Sequence, residues 1–101
     1  MSFLDHPAHR AAELVGDGYT IIDVREPQEL SNGALPDSSN IPLSELPRRI
    51  SSFPLNAKIA VICQSGARST QAAHTLKALG YQNVANLVGG MNGARARSYG
   101  N

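Results

Sequence analysis

The sequence contains one thiol, Cys63, followed by residues of the types that favour its ionised form. The segment CQSGARS (63–69, the Cys63 loop) has short side chains, and Gly66 allows backbone angles that other residues avoid, so successive N–H groups can turn inward as an anion-binding nest. The start of the helix predicted next attracts negative charge, as does the permanent cation of Arg68. We therefore expect a pKa for Cys63 below the usual ~8.5, and a nucleophile at neutral pH that needs no histidine base.

Buried strands must place this loop at one edge of a sheet. Short apolar runs that end in polar or small residues are typical of strands covered on both faces, and three segments fit: YTIIDVR (19–25), KIAVIC (58–63) and NVANLVGG (83–90). Alternation of such strands with helices predicts the α/β class, with a central, mostly parallel sheet flanked by helices on both faces. Ligands bind such sheets beyond the carboxyl ends of the strands, where Cys63, Asp23 and Arg25 fall.

The remaining elements are predicted to be short. From capping residues and apolar spacing we expect a helix from Asp5 to Gly16, one helical turn over 26–30, a brief strand over 40–42 and a helix from Ser44 to Phe53. The helix after the Cys63 loop is expected to be capped by Ser69, to end at Gly80 and to bury one stripe of side chains, Ala72, Leu76 and Leu79.

Composition excludes several classes of function. A chain of 101 residues fits one domain, 1–101, and 9 Lys+Arg against 8 Asp+Glu provide no basic surface for nucleic acid. The longest apolar run, IAVIC (59–63), is far shorter than the ~20 residues of a membrane span, and the first residues do not resemble a signal peptide, so a cytoplasmic location without membrane contact is expected. One cysteine permits neither an internal disulfide nor a cysteine metal cluster, and no metal or cofactor is implied.

Four blocks, in order, resemble the rhodanese family of sulfurtransferases. CQSGARS is similar to the CxxGxRS active-site loop of that family, and the other blocks are IIDVREPQEL (21–30), NIPL (40–43) and GYQNVANLVGG (80–90). Together they cover nearly the whole chain, so the resemblance implies a single rhodanese-like domain. The chain departs from the family pattern where Ala34, Asp37 and Ala94 replace a histidine, a glycine and a tryptophan.

The resemblance implies that Cys63 takes sulfane sulfur from a donor such as thiosulfate, becomes a persulfide, and passes the sulfur to cyanide or a thiol. The residues expected to bind the substrate are those of the loop: Gln64, Ser65, Gly66, Ala67, Arg68 and Ser69. Asp23 and Arg25 are expected to support the loop, where a carboxylate could pair with Arg68. Because the chain has no second thiol, the acceptor must be external, either a small thiol or another protein.

Two other functions compete with sulfur transfer. The rhodanese fold that the resemblance implies is similar to that of cell-cycle tyrosine phosphatases. A phosphatase or an arsenate reductase is therefore an alternative function. That group has a Cys-x5-Arg loop, whereas only four residues separate Cys63 from Arg68, which leaves room for a sulfur atom rather than a tetrahedral oxyanion. The second alternative is a non-catalytic rhodanese-like binding module, but such domains generally lack the cysteine that is present here.

Overall fold

A computed structural model describes the backbone of residues 2–99 and the side chains of residues 2–94. Five strands form one sheet in which every pair is parallel, and their spatial order is β1-β5-β4-β2-β3. The strands are β1 Leu4–Pro7, β2 Thr20–Asp23, β3 Ser38–Asn40, β4 Lys58–Ile62 and β5 Asn83–Val88. The central strand, β4, is the continuous apolar run of the sequence, because both of its faces are covered.

Helices cover the two faces of the sheet. They are α1 Ala11–Gly16, α2 Leu46–Arg49, α3 Ala67–Ala78 and α4 Gly90–Tyr99. Alternate residues of β4 point to opposite faces: Ile59 and Val61 pack with residues of α2 and α3, whereas Ala60 and Ile62 pack with residues of α1 and α4. The predicted α/β class, with a parallel sheet between two helical layers, is confirmed.

The sheet brings two chain segments together at its carboxyl edge. Asp23, the last residue of β2, lies opposite Ile62, the last residue of β4, and the N–H of Val24 donates to the Ile62 carbonyl at 2.9 Å. Cys63 follows Ile62 directly, so the Asp23–Arg25 segment and the Cys63 loop emerge side by side. This register is what places Arg25 beside the loop.

The prediction of a helix beginning at Asp5 is wrong. Residues Leu4–Pro7 form β1, a 3-10 turn covers Ala8–Arg10, and only Ala11–Gly16 are α-helical. The free edge of β5 accepts this segment as a parallel partner, with Leu4 opposite Ala85, and backbone pairing there outweighs the helical preference of the sequence.

Other boundaries also differ from the predictions. The brief strand ends at Asn40 rather than spanning 40–42, and the helix expected from Ser44 to Phe53 is α2 between two 3-10 turns, Leu43–Glu45 and Ile50–Ser52. Residues 27–32 form a 3-10 turn that starts at a proline. In α3, Leu79 is 45% exposed instead of buried, and Ala73 takes its place in the core with Ala72 and Leu76.

The structure shows the surroundings of two residues that depart from the family pattern, Asp37 and Ala94. Asp37 has a φ of 67°, the left-handed region that glycine adopts freely and that aspartate tolerates better than most residues. Ala94 is buried in the core on the α1 and α4 side of the sheet. Among the helices within 2–99, none has the length and apolar character that crossing a membrane requires.

Candidate functional site

The Cys63 thiol lies beneath its own loop, with 1% of the residue exposed. Its sulfur accepts hydrogen bonds from the N–H groups of Gly66 (3.1 Å) and Ser69 (3.3 Å), and the thiol donates to the Ser69 hydroxyl oxygen at 3.5 Å. The loop can close this tightly because Gly66 has a φ of 114°, which residues with a side chain rarely adopt. Gly66 is also the N-cap of α3, so the prediction that Ser69 caps this helix is wrong: Ser69 lies within the first turn and faces the sulfur.

The start of α4 holds the other side of the loop. The N–H groups of Met91 and Asn92 donate to the carbonyls of Cys63 (2.8 Å) and Gln64 (3.0 Å). Because a trans peptide group is planar, with its N–H antiparallel to its C=O, the N–H groups of Gln64 and Ser65 must point away from α4. Within residues 2–94, neither of these N–H groups has a hydrogen-bond acceptor.

These contacts build the anion-binding nest that the sequence predicts. The N–H groups of Gly66 and Ser69 already point at the sulfur, and those of Gln64, Ser65 and Ala67 have no acceptor in the described part of the chain. A negative charge on the sulfur, or on an atom bonded to it, is therefore met by several donors at once. Such an arrangement stabilises a thiolate and an anionic product formed on it.

The pKa of Cys63 is lowered from its ordinary value by hydrogen bonds. Burial of the thiol acts against ionisation and would raise the pKa, but it is outweighed by the hydrogen bonds that the thiolate accepts from the N–H groups of Ser69, Gly66 and Arg68 and from the Ser69 hydroxyl, which turns its proton to the sulfur on ionisation. Of the three predicted causes, the N–H groups of the loop and of the helix start are thus confirmed, whereas the cation of Arg68 is itself paired with a carboxylate.

Replacing Ser69 with alanine is expected to raise the pKa of Cys63. The hydroxyl of Ser69 is the strongest of the groups that lower this pKa, so its loss moves the midpoint of thiolate formation to higher pH. The measurement is a pH titration of the ultraviolet absorbance of the thiolate. Ser65→Ala is the matched control, because Ser65 belongs to the same loop but is exposed, and its hydroxyl has no described bond to the sulfur. An unchanged midpoint in the Ser69 variant would contradict the role given to the hydroxyl.

Arg25 contacts the loop from a fully buried position. Its guanidinium forms a bidentate pair with Asp23, with Nε 3.0 Å from Oδ1 and Nη2 2.8 Å from Oδ2. It also donates to the carbonyls of Glu29 (3.3 Å) and Gly33 (2.9 Å), and to Oε1 of Gln64 at 3.1 Å. Arg25 is thus linked directly to the Cys63 loop, and Asp23 is linked to it through Arg25.

Gln64 links this buried pair to α4. Its side-chain amide accepts from Arg25 and donates from Nε2 to Oδ1 of Asn92 at 2.7 Å. Both ends of the amide are therefore engaged with the protein. The side chain of Gln64, a residue predicted to bind substrate, thus joins the loop to Arg25 and Asn92, and its backbone N–H has no acceptor within residues 2–94.

Arg68 does pair with a carboxylate, as expected, but with that of Glu29 rather than that of Asp23. Arg68 forms a bidentate pair with Glu29, with Nη1–Oε2 at 2.6 Å and Nη2–Oε1 at 2.8 Å. Asp23 is not available to Arg68 because its carboxylate is already paired with Arg25. Glu29 was not among the predicted site residues. The sequence does contain a pointer to it: Glu26 and Glu29 form a capping box around the 3-10 turn, which fixes the carboxylate at the edge of the site.

Of the predicted residues, Gly66 and Ser69 bond to the sulfur of Cys63, whereas Asp23 and Arg25 reach the loop through the side chain of Gln64. Arg68 and Glu26 line an open groove beside the loop, together with residues of α2, α3 and the turn before α2. Ser65 and Ala67 are exposed at the surface of the loop, whereas Ser69 is buried. No group of three or more His, Cys, Asp and Glu side chains suited to a metal ion occurs in the described part of the chain.

Comparisons with known proteins agree on one family. A family model of the rhodanese-like domain matches residues 7–97. A sulfurtransferase of Allochromatium vinosum is 39% identical over 71 residues, 70% of this chain and 66% of that protein. The thiosulfate sulfurtransferase GlpE of Pseudomonas syringae is 30% identical over 84 residues, 83% of this chain and 79% of that protein.

A solved structure has the same fold over nearly the full length. The crystal structure of a rhodanese-related protein from Thermoplasma volcanium matches with a TM-score of 0.84 at 36% identity, covering 96% of this chain and 95% of that one. Three curated relatives at 39% or 40% identity are longer proteins, of which this chain spans 66%, 40% and 56%.

Proposed function

The chain belongs to the rhodanese-like domain family, and on that premise we propose that it is a sulfurtransferase that carries sulfane sulfur on Cys63. The donor is thiosulfate or a similar sulfane compound, and the acceptor is cyanide or a thiol. The single observation that carries the proposal is the sulfur of Cys63 enclosed by backbone N–H groups at the carboxyl edge of the sheet. Sulfur transfer is also the activity in the names of two of the relatives.

The first step forms the persulfide. The Cys63 thiolate attacks the outer sulfur of thiosulfate, and its electron pair forms the new S–S bond. The bond between that sulfur and the sulfonate breaks, and its electron pair leaves with sulfite. The terminal sulfur of the persulfide lies ~2.05 Å beyond Sγ and carries the negative charge, and in this proposal it accepts hydrogen bonds from the N–H groups of Gln64, Ser65 and Ala67, which have no acceptor within residues 2–94.

The second step returns Cys63 to the thiolate. Cyanide or an external thiolate attacks the terminal sulfur, the S–S bond breaks, and its electron pair stays on Sγ. The product is thiocyanate or a new persulfide. The same donors that lower the pKa of Cys63 make it a good leaving group in this step, since a leaving thiol of low pKa departs faster.

Each predicted site residue has a proposed role on this basis. Cys63 is the catalytic residue, and the backbone of 64–69 binds the donor and the persulfide. Asp23 and Arg25 are positioning residues that act through Gln64. We also propose that 1–101 acts as one domain, that a small thiol or another protein accepts the sulfur, and that the protein works in the cytoplasm without nucleic acid or membrane.

The test is thiocyanate release from thiosulfate and cyanide, with the intact mass measured after treatment with thiosulfate alone. We expect the protein to gain the mass of one sulfur atom and then to release thiocyanate, and we expect Cys63→Ser to do neither. Thiocyanate formed equally by the Cys63→Ser variant would contradict the proposal. So would hydrolysis of an aryl phosphate without any sulfur loading, which would favour the phosphatase alternative.

A further inference from the structure

We propose that Glu29 is a specificity-determining residue that disfavours doubly charged sulfur donors relative to singly charged ones. It does so by pairing with Arg68 and thereby neutralising the charge that would attract them. The inference rests on the proposed sulfur transfer and concerns which donors load Cys63 fastest. Glu29 is named neither by the loop motif nor by the expected roles of Asp23 and Arg25. It follows from how the charges of the site are paired.

The Arg68–Glu29 pair is partly exposed, and Arg68 belongs to the Cys63 loop itself. Two parallel hydrogen bonds of 2.6 and 2.8 Å join the side chains, which are 36% and 30% exposed. A bidentate pair of this kind is specific in geometry and stronger than a single contact. A donor that reaches Arg68 therefore meets the carboxylate of Glu29 at the same place.

The carboxylate cannot easily leave Arg68 or lose its charge. Oε2 of Glu29 also accepts from the N–H of Glu26 at 2.8 Å, which ties it to the 3-10 turn. The hydrogen bonds from Arg68 and from the Glu26 N–H lower the pKa of Glu29 to about 2, so it stays ionised at every physiological pH. Glu29 is thus a permanent negative charge beside the loop.

Arg25, the other arginine of the site, does not offset the negative charge of Glu29. Arg25 is fully buried and is paired with Asp23, so both described ion pairs of the site have a net charge of zero. Attraction for an anion then comes mainly from the N–H groups of the nest. These groups can compensate the negative charge of the attacked sulfur, but both described arginines of the site are already paired, so the second charge of a dianion such as thiosulfate is repelled by Glu29 without a free cation to offset it.

Two donors that differ by one charge make the test sharp. Thiosulfate is a dianion, and methanethiosulfonate, CH3SO2S−, is a monoanion with the same sulfur attached to a sulfonyl group. Each transfers its outer sulfur to the Cys63 thiolate and leaves as sulfite or methanesulfinate, respectively. Loading rates of Cys63 are measured by intact mass over a range of donor concentrations, for the wild type, Glu29→Gln and Glu26→Gln.

We expect Glu29→Gln to raise the rate ratio of thiosulfate to methanethiosulfonate by about three- to tenfold, mainly through tighter thiosulfate binding. Added salt should reduce the difference. Glu26→Gln is the matched control, because it removes the same charge from the same turn and the same groove, and Glu26 has no described ion pair with Arg68. It should change the ratio less than Glu29→Gln does.

An unchanged ratio in Glu29→Gln overturns the inference, even if both rates fall, because a purely structural role slows both donors together. Equal shifts in the two variants also overturn it, because they indicate general charge rather than the pair. If the wild type is loaded by neither donor, the proposed sulfur transfer fails instead. The two failures are therefore distinguishable.

Discussion

Replacing Gly90 with alanine is expected to slow sulfur loading of Cys63 by at least about a hundredfold, because it displaces the loop by the order of an ångström. A Cβ atom at this position would lie 2.5 Å from the Cys63 carbonyl oxygen and 2.6 Å from that of Gln64. Gly90 also has a φ of 57°, which costs alanine ~1–2 kcal/mol. The clash is relieved when the loop and α4 move apart, and this breaks the bonds from Met91 and Asn92.

Gly16→Ala is the control for this variant. Gly16 ends α1 without a positive φ, and an added Cβ there meets nothing within 4 Å, so the change should be neutral or stabilise by about 0.4–1 kcal/mol. Loading rates and urea unfolding are measured for both variants. A Gly90→Ala protein that loads sulfur at the wild-type rate would show that α4 does not hold the loop.

Replacing Arg25 with methionine is expected to lower the free energy of unfolding by about 3–5 kcal/mol. The substitution leaves Asp23, which is 1% exposed, with no guanidinium, and removes donors from the carbonyls of Glu29 and Gly33. A buried carboxylate without its partner is costly because its desolvation is no longer repaid. Loading of Cys63 should also slow, because Gln64 loses one of its two side-chain partners.

The free energy of unfolding is measured in urea for Arg25→Met and for a variant that breaks an exposed ion pair. Arg10→Met is the control, since Arg10 and Glu13 form an ion pair with side chains 56% and 49% exposed, and such pairs contribute about 0–1 kcal/mol. Combining Arg25→Met with Asp23→Leu should recover part of the loss, because no unpaired charge remains buried. If Arg25→Met unfolds like Arg10→Met, the buried pair does not stabilise the fold.

The parts of the fold that sequence predicts well are those with strong local patterns. β4 is a continuous apolar run, β5 ends at a double glycine, and the Cys63 loop is followed by a helix with clear spacing. β1 was missed because its residues, LDHP, have no strand pattern, and 48% of Leu4 remains exposed. That strand exists because β5 has a free edge, and this is a tertiary fact that no short window of sequence contains.

The ion pairs of the site also show which contacts a short window of sequence can predict and which it cannot. Asp23 and Arg25 are two residues apart on extended chain, so their side chains leave the same side, and this pairing could have been predicted from spacing alone. The pairing of Arg68 with Glu29 joins residues 39 positions apart and depends on where the 3-10 turn packs against α3. The lowered pKa of Cys63 was predicted correctly, but the dominance of hydrogen bonds over charge required the geometry.

The pairing of β1 with β5 has a consequence for how the protein is made. Among the described strands, β1 leaves the ribosome first, yet it hydrogen-bonds only to β5, with Leu4 opposite Ala85. Contacts between such distant residues form late, because closing the intervening chain costs entropy before any bond forms. The nascent chain therefore holds β1 without its partner until β5 has been synthesised, which makes that segment the natural point of contact for a chaperone or a protease.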